Sequence, residues 1–340
     1  MSMVPDRFDT DSTTANAPNA ASAAFGRVIT AMVTPFDHAG RLDERGTEWL
    51  AACLTRDGWN DSVVVNGTTG ESISTTDREK SRAIRAAKRG VAAHGGKVIA
   101  GVGAGSTAHS IKLAKEAASA GADGLLVVAP YYSCPGQTGL LKHLLAVADA
   151  TKLPVMIYDI PKRTGIAIET ETVLAAARHP RILAVKEAKG DLEGATEVMG
   201  QTHLAYYSGD DALNLPWLSV GATGFVSVVG HVVGDQLTQL LQHHVHGRNA
   251  EALALHRHLM PIFRGMFWAP GAASAKAALG DLGLPGGPVR LPLVDLTEEQ
   301  RRELRHVLAG TVTEMGAPAD PARVPTGWLP AEAAAGQVGR

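Results

Sequence analysis

A (β/α)8 barrel is predicted by three features of this 340-residue sequence. Eight short runs rich in β-branched residues follow one another at Val28 to Val33, Ser62 to Val65, Val98 to Gly101, Gly124 to Val128, Pro154 to Tyr158, Ile182 to Lys186, Ala205 to Ser208 and Gly224 to Val228. Most of these runs are continuously apolar rather than alternating, the mark of strands covered on both faces. Longer amphipathic segments such as Ser106 to Ala120 fill the gaps between them. A repeat of very roughly 20 to 35 residues per βα unit, sustained eight times, exceeds the strand number usual for an open doubly wound sheet.

The barrel is expected over residues 25–232, closing near Val228. Beyond it, Asp235 to Gln242, Ala250 to Phe267, Ala272 to Leu282 and Thr297 to Leu308 carry helical apolar periodicity, which predicts a C-terminal helical appendage over 233–317 packed on the barrel. The Ser/Thr/Ala/Asn-rich stretch 1–24 and the Ala/Pro/Gly-rich stretch 318–340 are expected to be disordered tails.

Composition excludes several function classes. With 32 Lys and Arg against 34 Asp and Glu, scattered along the chain, the basic footprint that nucleic acid requires is missing. No apolar run approaches the roughly 20 residues of a membrane helix, and the N-terminal stretch lacks the basic and apolar regions of a signal peptide. The two cysteines, Cys53 and Cys134, form neither a CxxC pair nor a disulfide-dense pattern, so cytoplasm is the expected compartment.

In a (β/α)8 barrel the chemistry sits at the C-terminal mouth, on residues that end strands or open the loops after them. Lys186 closes the apolar run Ile182-Leu183-Ala184-Val185, where desolvation favours the neutral amine that a nucleophile needs. Position alone also allows a strand-end lysine that snorkels to solvent or pairs with Glu187 or Asp210. Tyr158 ends the preceding strand and places a phenol beside that amine for proton transfer, although a packed tyrosine with a satisfied hydroxyl would look the same. Gly67-Thr68-Thr69-Gly70-Glu71 is a glycine-bounded loop whose backbone N–H groups and hydroxyls suit a small carboxylate, or simply cap the next helix.

Taken together and in order, Gly67-Thr68-Thr69-Gly70-Glu71-Ser72, Pro130-Tyr131-Tyr132, Tyr158 with Pro161-Lys162-Arg163-Thr164-Gly165, Val185-Lys186-Glu187-Ala188 and Ser208-Gly209-Asp210-Asp211 closely resemble the 4-hydroxy-tetrahydrodipicolinate synthases, also called dihydrodipicolinate synthases, from about Val28 to Leu308. The resemblance implies that Lys186 forms an imine with pyruvate and that Tyr158, Thr68 and Tyr132 form a hydroxyl relay. It implies that Thr69 holds the pyruvate carboxylate through its backbone and hydroxyl, that the main chain of Gly209 and Val226 lines the pocket, and that Arg163 receives the carboxylate of aspartate semialdehyde. The tyrosine matching Tyr131 reaches across a dimer interface in that family, with Tyr132 taken here as the relay residue, so a homo-oligomer, a dimer of dimers, is expected. Neither metal nor organic cofactor is implied. Where lysine-regulated members carry a histidine pair, an Asn and a Glu, this chain places Asp77, Lys80, Gly105 and His109, so weak or absent inhibition by lysine is expected.

The rival readings are a pyruvate aldolase acting on a sugar-acid aldehyde, a keto-acid-binding barrel without turnover, and a metal-dependent aldolase. The densest histidine group, His243, His244, His246, His256 and His258, falls after the eighth strand and far from the mouth. Gly101, Gly103 and Gly105 miss the dinucleotide spacing because Ser106 stands where the last glycine belongs, and they are expected to form a tight βα turn.

Overall fold

The computed structural model describes residues 19–309. Eight parallel strands, β1 Val28–Ala31, β2 Ser62–Val65, β3 Lys97–Gly101, β4 Gly124–Val128, β5 Val155–Asp159, β6 Ile182–Glu187, β7 Ala205–Ser208 and β8 Gly224–Ser227, pair in sequence order and close through β8 on β1. The continuously apolar runs have a direct cause. Ile29, Val64, Ile99, Leu126, Met156, Ala184 and Val226 pack together inside the barrel. Their neighbours Val63, Val98, Leu125, Ile157, Val185 and Phe225 pack under the helices outside. Both faces of the strands are covered, so the runs stay apolar apart from Thr30, the tyrosines and the residues at or next to strand ends.

The N-terminal end of the barrel is closed by a segment that the sequence reading places in a disordered tail. Residues Ala20–Phe25 form a helix whose Asn19 cap accepts from the N–H of Ser22 while the Ser22 side chain answers the Asn19 backbone. Phe25 is fully buried, the Ser62 hydroxyl donates to its carbonyl at 2.5 Å, and the Tyr207 hydroxyl donates to the Gly26 carbonyl at 2.8 Å. A helix of six residues has too few turns to show periodicity and is held by burial rather than propensity, which is why the sequence hides it. The rest of that stretch, 1–18, lies outside the described residues, as does the C-terminal stretch from 310 onward.

The boundary at the other end also shifts. The helix after β8 spans Gly230–Val245 rather than starting at Asp235, packs on β1, and is the eighth helix of the barrel itself, so the barrel runs past residue 232. The appendage consists of the helices Asn249–Gly265, Gly271–Asp281 and Glu298–Ala309, close to their expected ranges. Among the described residues no helix is long and apolar enough to cross a membrane.

His231 fastens the seam where the barrel closes. Its Nδ1 donates to the Val228 carbonyl at 2.7 Å and its Nε2 accepts from the Val33 N–H at 3.1 Å, so both bonds together require the neutral Nδ1–H tautomer. Complete burial lowers its pKa from 6.5 to about 4. The unfolded chain therefore binds more protons between those values, and the His231 contribution is full above pH 6.5 and lost as pH falls towards 4, up to about 3 kcal/mol. We expect the melting temperature to fall between pH 7 and pH 5 by more in the wild-type chain than in His231→Gln, whose amide keeps a donor and an acceptor but does not titrate; equal falls in thermal melts would refute the assignment.

Candidate active site

The pairing of β5 with β6 sets the site. Val155 faces Ile182, but Met156 faces Ala184, so a bulge skips Leu183 and shifts the register by one residue. Because side chains alternate, that single step decides which face each residue takes. It brings Tyr158 opposite Lys186 with both pointing into the barrel, the Lys186 Nζ lying 4.2 Å from the centre of the Tyr158 ring. Lys186 and Tyr158 are each 5% exposed.

Burial acts in opposite directions on the two groups. It lowers the pKa of the Lys186 amine to about 8, against the attraction of Asp211 and with the help of the Arg163 charge. It raises the Tyr158 phenol to about 12, although Arg163 and a hydrogen bond from Thr68 oppose the rise. A substantial fraction of neutral amine and a fully protonated phenol thus coexist just above neutral pH, the pairing that addition to a ketone followed by loss of water demands.

Gly209 leaves room for the lysine. A Cβ there would stand 2.8 Å from the Glu187 carbonyl oxygen and 3.1 Å from Lys186 Cε, and the Gly209 N–H donates to that same carbonyl at 2.7 Å. Val226 lies buried in the barrel interior with Tyr158. Thr69 is buried beside Thr68, which pairs its hydroxyl with Tyr158 while remaining exposed on its other side. Arg163, itself exposed, sits on the turn Pro161–Thr164 after β5, close enough for its charge to act on both Lys186 and Tyr158.

The structure does not bring the two tyrosines of the Pro130-Tyr131-Tyr132 turn to this group. Tyr132 is 98% exposed with φ of 73°, and Tyr131 is half-buried, so within one chain neither completes a relay with Tyr158. The salt-bridged alternatives for Lys186 fail too. Glu187 points outward and accepts from the N–H groups of Lys189, Gly190 and Asp191, while Asp210 caps Ala212.

Several contributors were not legible as site residues. Asp211, second of the two aspartates, is buried and accepts from the N–H groups of Val228 and Val229 at 3.0 and 3.1 Å, which fixes a carboxylate close enough to act on Lys186. Behind the strands, Lys189 bridges Asp159 at 3.1 Å and Asp191 at 3.3 Å, tying the end of β5 to the loop after β6. Asp159 and Glu187 each directly follow a site residue, and their only sequence signal is a charge one step out of phase with the inward face.

The rival motifs resolve by geometry. A Cβ on Gly101 or Gly103 would meet the Asn66 carbonyl oxygen at 2.3 Å or Val128 Cγ1 at 2.2 Å, so these glycines permit close packing of strand ends. Arg248 donates to His243, and His246 donates to the Gln242 carbonyl. Among the described residues, no three His, Cys, Asp or Glu side chains converge as a metal-ligand set.

A buried lysine with a lowered pKa, a phenol beside it and a hydroxyl-bearing loop at the mouth of a (β/α)8 barrel define a Schiff-base-forming barrel lyase. The sequence model of the dihydrodipicolinate synthetase family matches residues 24–310, and the chain belongs to that family. It is 55% identical over 287 residues, 84% of this chain and 92% of the relative, to a 4-hydroxy-tetrahydrodipicolinate synthase of Acidothermus cellulolyticus. It is 53% identical to 4-hydroxy-tetrahydrodipicolinate synthase 2 of Streptomyces coelicolor, over 84% of this chain and 95% of that one. Among solved structures, the lysine-bound enzyme of Cyanidioschyzon merolae superposes with a TM-score of 0.82 at 43% identity, covering 84% of this chain and 98% of that one.

Imine formation should gain rate as pH rises through about 8, following loss of the Lys186 proton. Because the Arg163 charge lowers that pKa and Asp211 raises it, Arg163→Ala should move the midpoint to higher pH and Asp211→Asn to lower pH. Stopped-flow pH profiles with pyruvate test this, and shifts in the reverse sense would refute the electrostatic assignment.

Proposed function

We propose that this chain condenses pyruvate, held as a Lys186 imine, with L-aspartate 4-semialdehyde, the reaction of a 4-hydroxy-tetrahydrodipicolinate synthase. The observation that carries the reading is the buried Lys186 amine set against the Tyr158 ring, with Thr68 on the phenol. The neutral amine adds to the keto carbon, and the carbinolamine loses water with the Tyr158 phenol delivering and recovering the proton. The iminium then acts as an electron sink: a methyl proton leaves, and the enamine carbon attacks the aldehyde. The amino group of the adduct displaces Lys186 by transimination and closes a six-membered ring. This sequence needs neither a redox step nor a Lewis acid.

Thr69 receives the pyruvate carboxylate through its backbone and hydroxyl, and the main chain of Gly209 and Val226 lines the pocket. Arg163 on the rim receives the semialdehyde carboxylate, a task suited to a planar guanidinium. It favours this aldehyde over a polyhydroxylated sugar acid. The solvent-facing side of Thr68 and the outward Tyr132 support a homo-oligomer in which Tyr132 of a second copy completes the relay, with a dimer of dimers as the full assembly. The composition and family suit a cytoplasmic enzyme.

Free lysine should inhibit weakly or not at all. The Asp77 carboxylate already holds His109 at 3.0 Å and Lys112 at 2.7 Å, and the Lys80 amine donates to the Thr75 carbonyl at 2.6 Å. Positive charge on Lys80 and Lys112 disfavours a further ammonium at this position. Half-inhibition by sub-millimolar lysine in a turnover assay would overturn this expectation.

Borohydride added with pyruvate should leave a reduced adduct on Lys186, readable by peptide mass spectrometry, and aspartate semialdehyde should be turned over in preference to sugar-acid aldehydes. Tyr158→Phe should lower kcat by roughly 10²- to 10⁴-fold, the usual share of a positioned acid–base group. An unmodified Lys186 would sink the reading.

A further inference from the structure

The loop that carries Thr68 and Thr69 is bracketed by two non-glycine residues in the left-handed region, Asn66 with φ of 57° and Glu71 with φ of 53°. A residue with a Cβ is strained in that region and persists there only where its surroundings hold it. Asn66 is held by its amide, which donates to the Lys80 carbonyl at 3.1 Å. Glu71 is held from outside the barrel. Its Oε1 lies 2.6 Å from the Nζ of Lys276 on the helix Gly271–Asp281, and its Oε2 accepts from the Arg290 N–H at 2.8 Å.

Both partners of the ion pair are buried, at 2% side-chain exposure each. The Lys276 ammonium also donates to the Pro288 carbonyl at 2.7 Å and lies over the Phe36 ring, 4.1 Å from its centre. On the same ring, the Arg290 guanidinium stacks at 4.0 Å, and it reaches the Gly40 and Ser74 carbonyls and the Glu79 carboxylate. A buried charge pair of this kind adds little net stability over an apolar replacement, so its worth lies in geometry.

The link to the site is direct. The Glu71 N–H donates to the Thr68 carbonyl at 3.1 Å, and the Thr34 hydroxyl donates to the Gly70 carbonyl at 2.6 Å, so the residue clamped by Lys276 is bonded to the residue that pairs with Tyr158. We infer that Lys276 and Glu71 are positioning residues: their buried ion pair, reaching from the C-terminal appendage, fixes the left-handed Glu71 and through it aims Thr68 and Thr69 at the imine-forming lysine. The inference rests on the reading of Lys186, Thr68 and Thr69 given above. It also gives the appendage a share in the reaction that its distance from the chemistry conceals.

The test compares the wild-type chain with Lys276→Met and with Glu71→Gln/Lys276→Met, the double variant leaving no unpaired buried charge. Folded protein is isolated by size and checked by thermal melting. Borohydride trapping measures the rate of imine formation, and steady-state kinetics give KM for each substrate. Trapping should slow at least tenfold and KM for pyruvate should rise at least tenfold in both variants, while KM for aspartate semialdehyde, set by Arg163, stays within twofold. Wild-type trapping in the folded double variant, or both KM values moving together, would overturn the inference and leave the Lys186 chemistry intact. A wild-type chain that traps no pyruvate would overturn the parent reading, and the inference with it.

Discussion

Removing the Lys186 amine from water is the act on which the rest of this structure depends. An ammonium in bulk solvent holds its proton well above neutral pH and cannot attack a ketone; inside an apolar barrel the charged form loses its hydration, and its pKa falls to about 8. The barrel supplies that environment cheaply, because its interior is already dry and lined by Ile29, Val64, Ile99 and Leu126. The same burial raises the neighbouring Tyr158, so one environment prepares a base and an acid without either needing a dedicated partner.

Geometry then has to be held against the cost of placing polar groups in such a place. The carboxylates that follow the two site residues, Asp159 and Glu187, face outward and are satisfied by Lys189 and by a row of backbone N–H groups. Asp211 is held in the same way by the N–H groups after β8. These anchors lie at strand ends, where polar residues reach partners without entering the core. The anchor at Glu71 differs in coming from the C-terminal helices, which makes the appendage part of the frame around the site and not merely a cover for the barrel.

Arg163 and Tyr132 are exposed on the turns that follow β5 and β4, and the proposed choice of aldehyde rests on this rim. Tyr132 faces solvent in a left-handed backbone conformation, and the relay role proposed for it falls to a second copy of the chain. The cluster around Asp77 is likewise a matter of surface groups, with Lys112 pairing a carboxylate that the His109 ring also contacts.

The eight strands, their order, the appended helices and the positions of Lys186 and Tyr158 were legible in the sequence, because double-sided burial writes itself as uninterrupted apolar runs and the site residues end those runs. The Asn19-capped helix was not, since six residues carry no period, and neither was the membership of Gly230–Val245 in the barrel, which depends on what that helix packs against. Most of all, the bulge between β5 and β6 that sets Tyr158 opposite Lys186 leaves no trace in composition or pattern. Local sequence determined which segments become strands and which groups stand at their ends. Only the closed barrel decided their register, and with it which of those groups meet, because register is fixed by the packing of all eight strands at once.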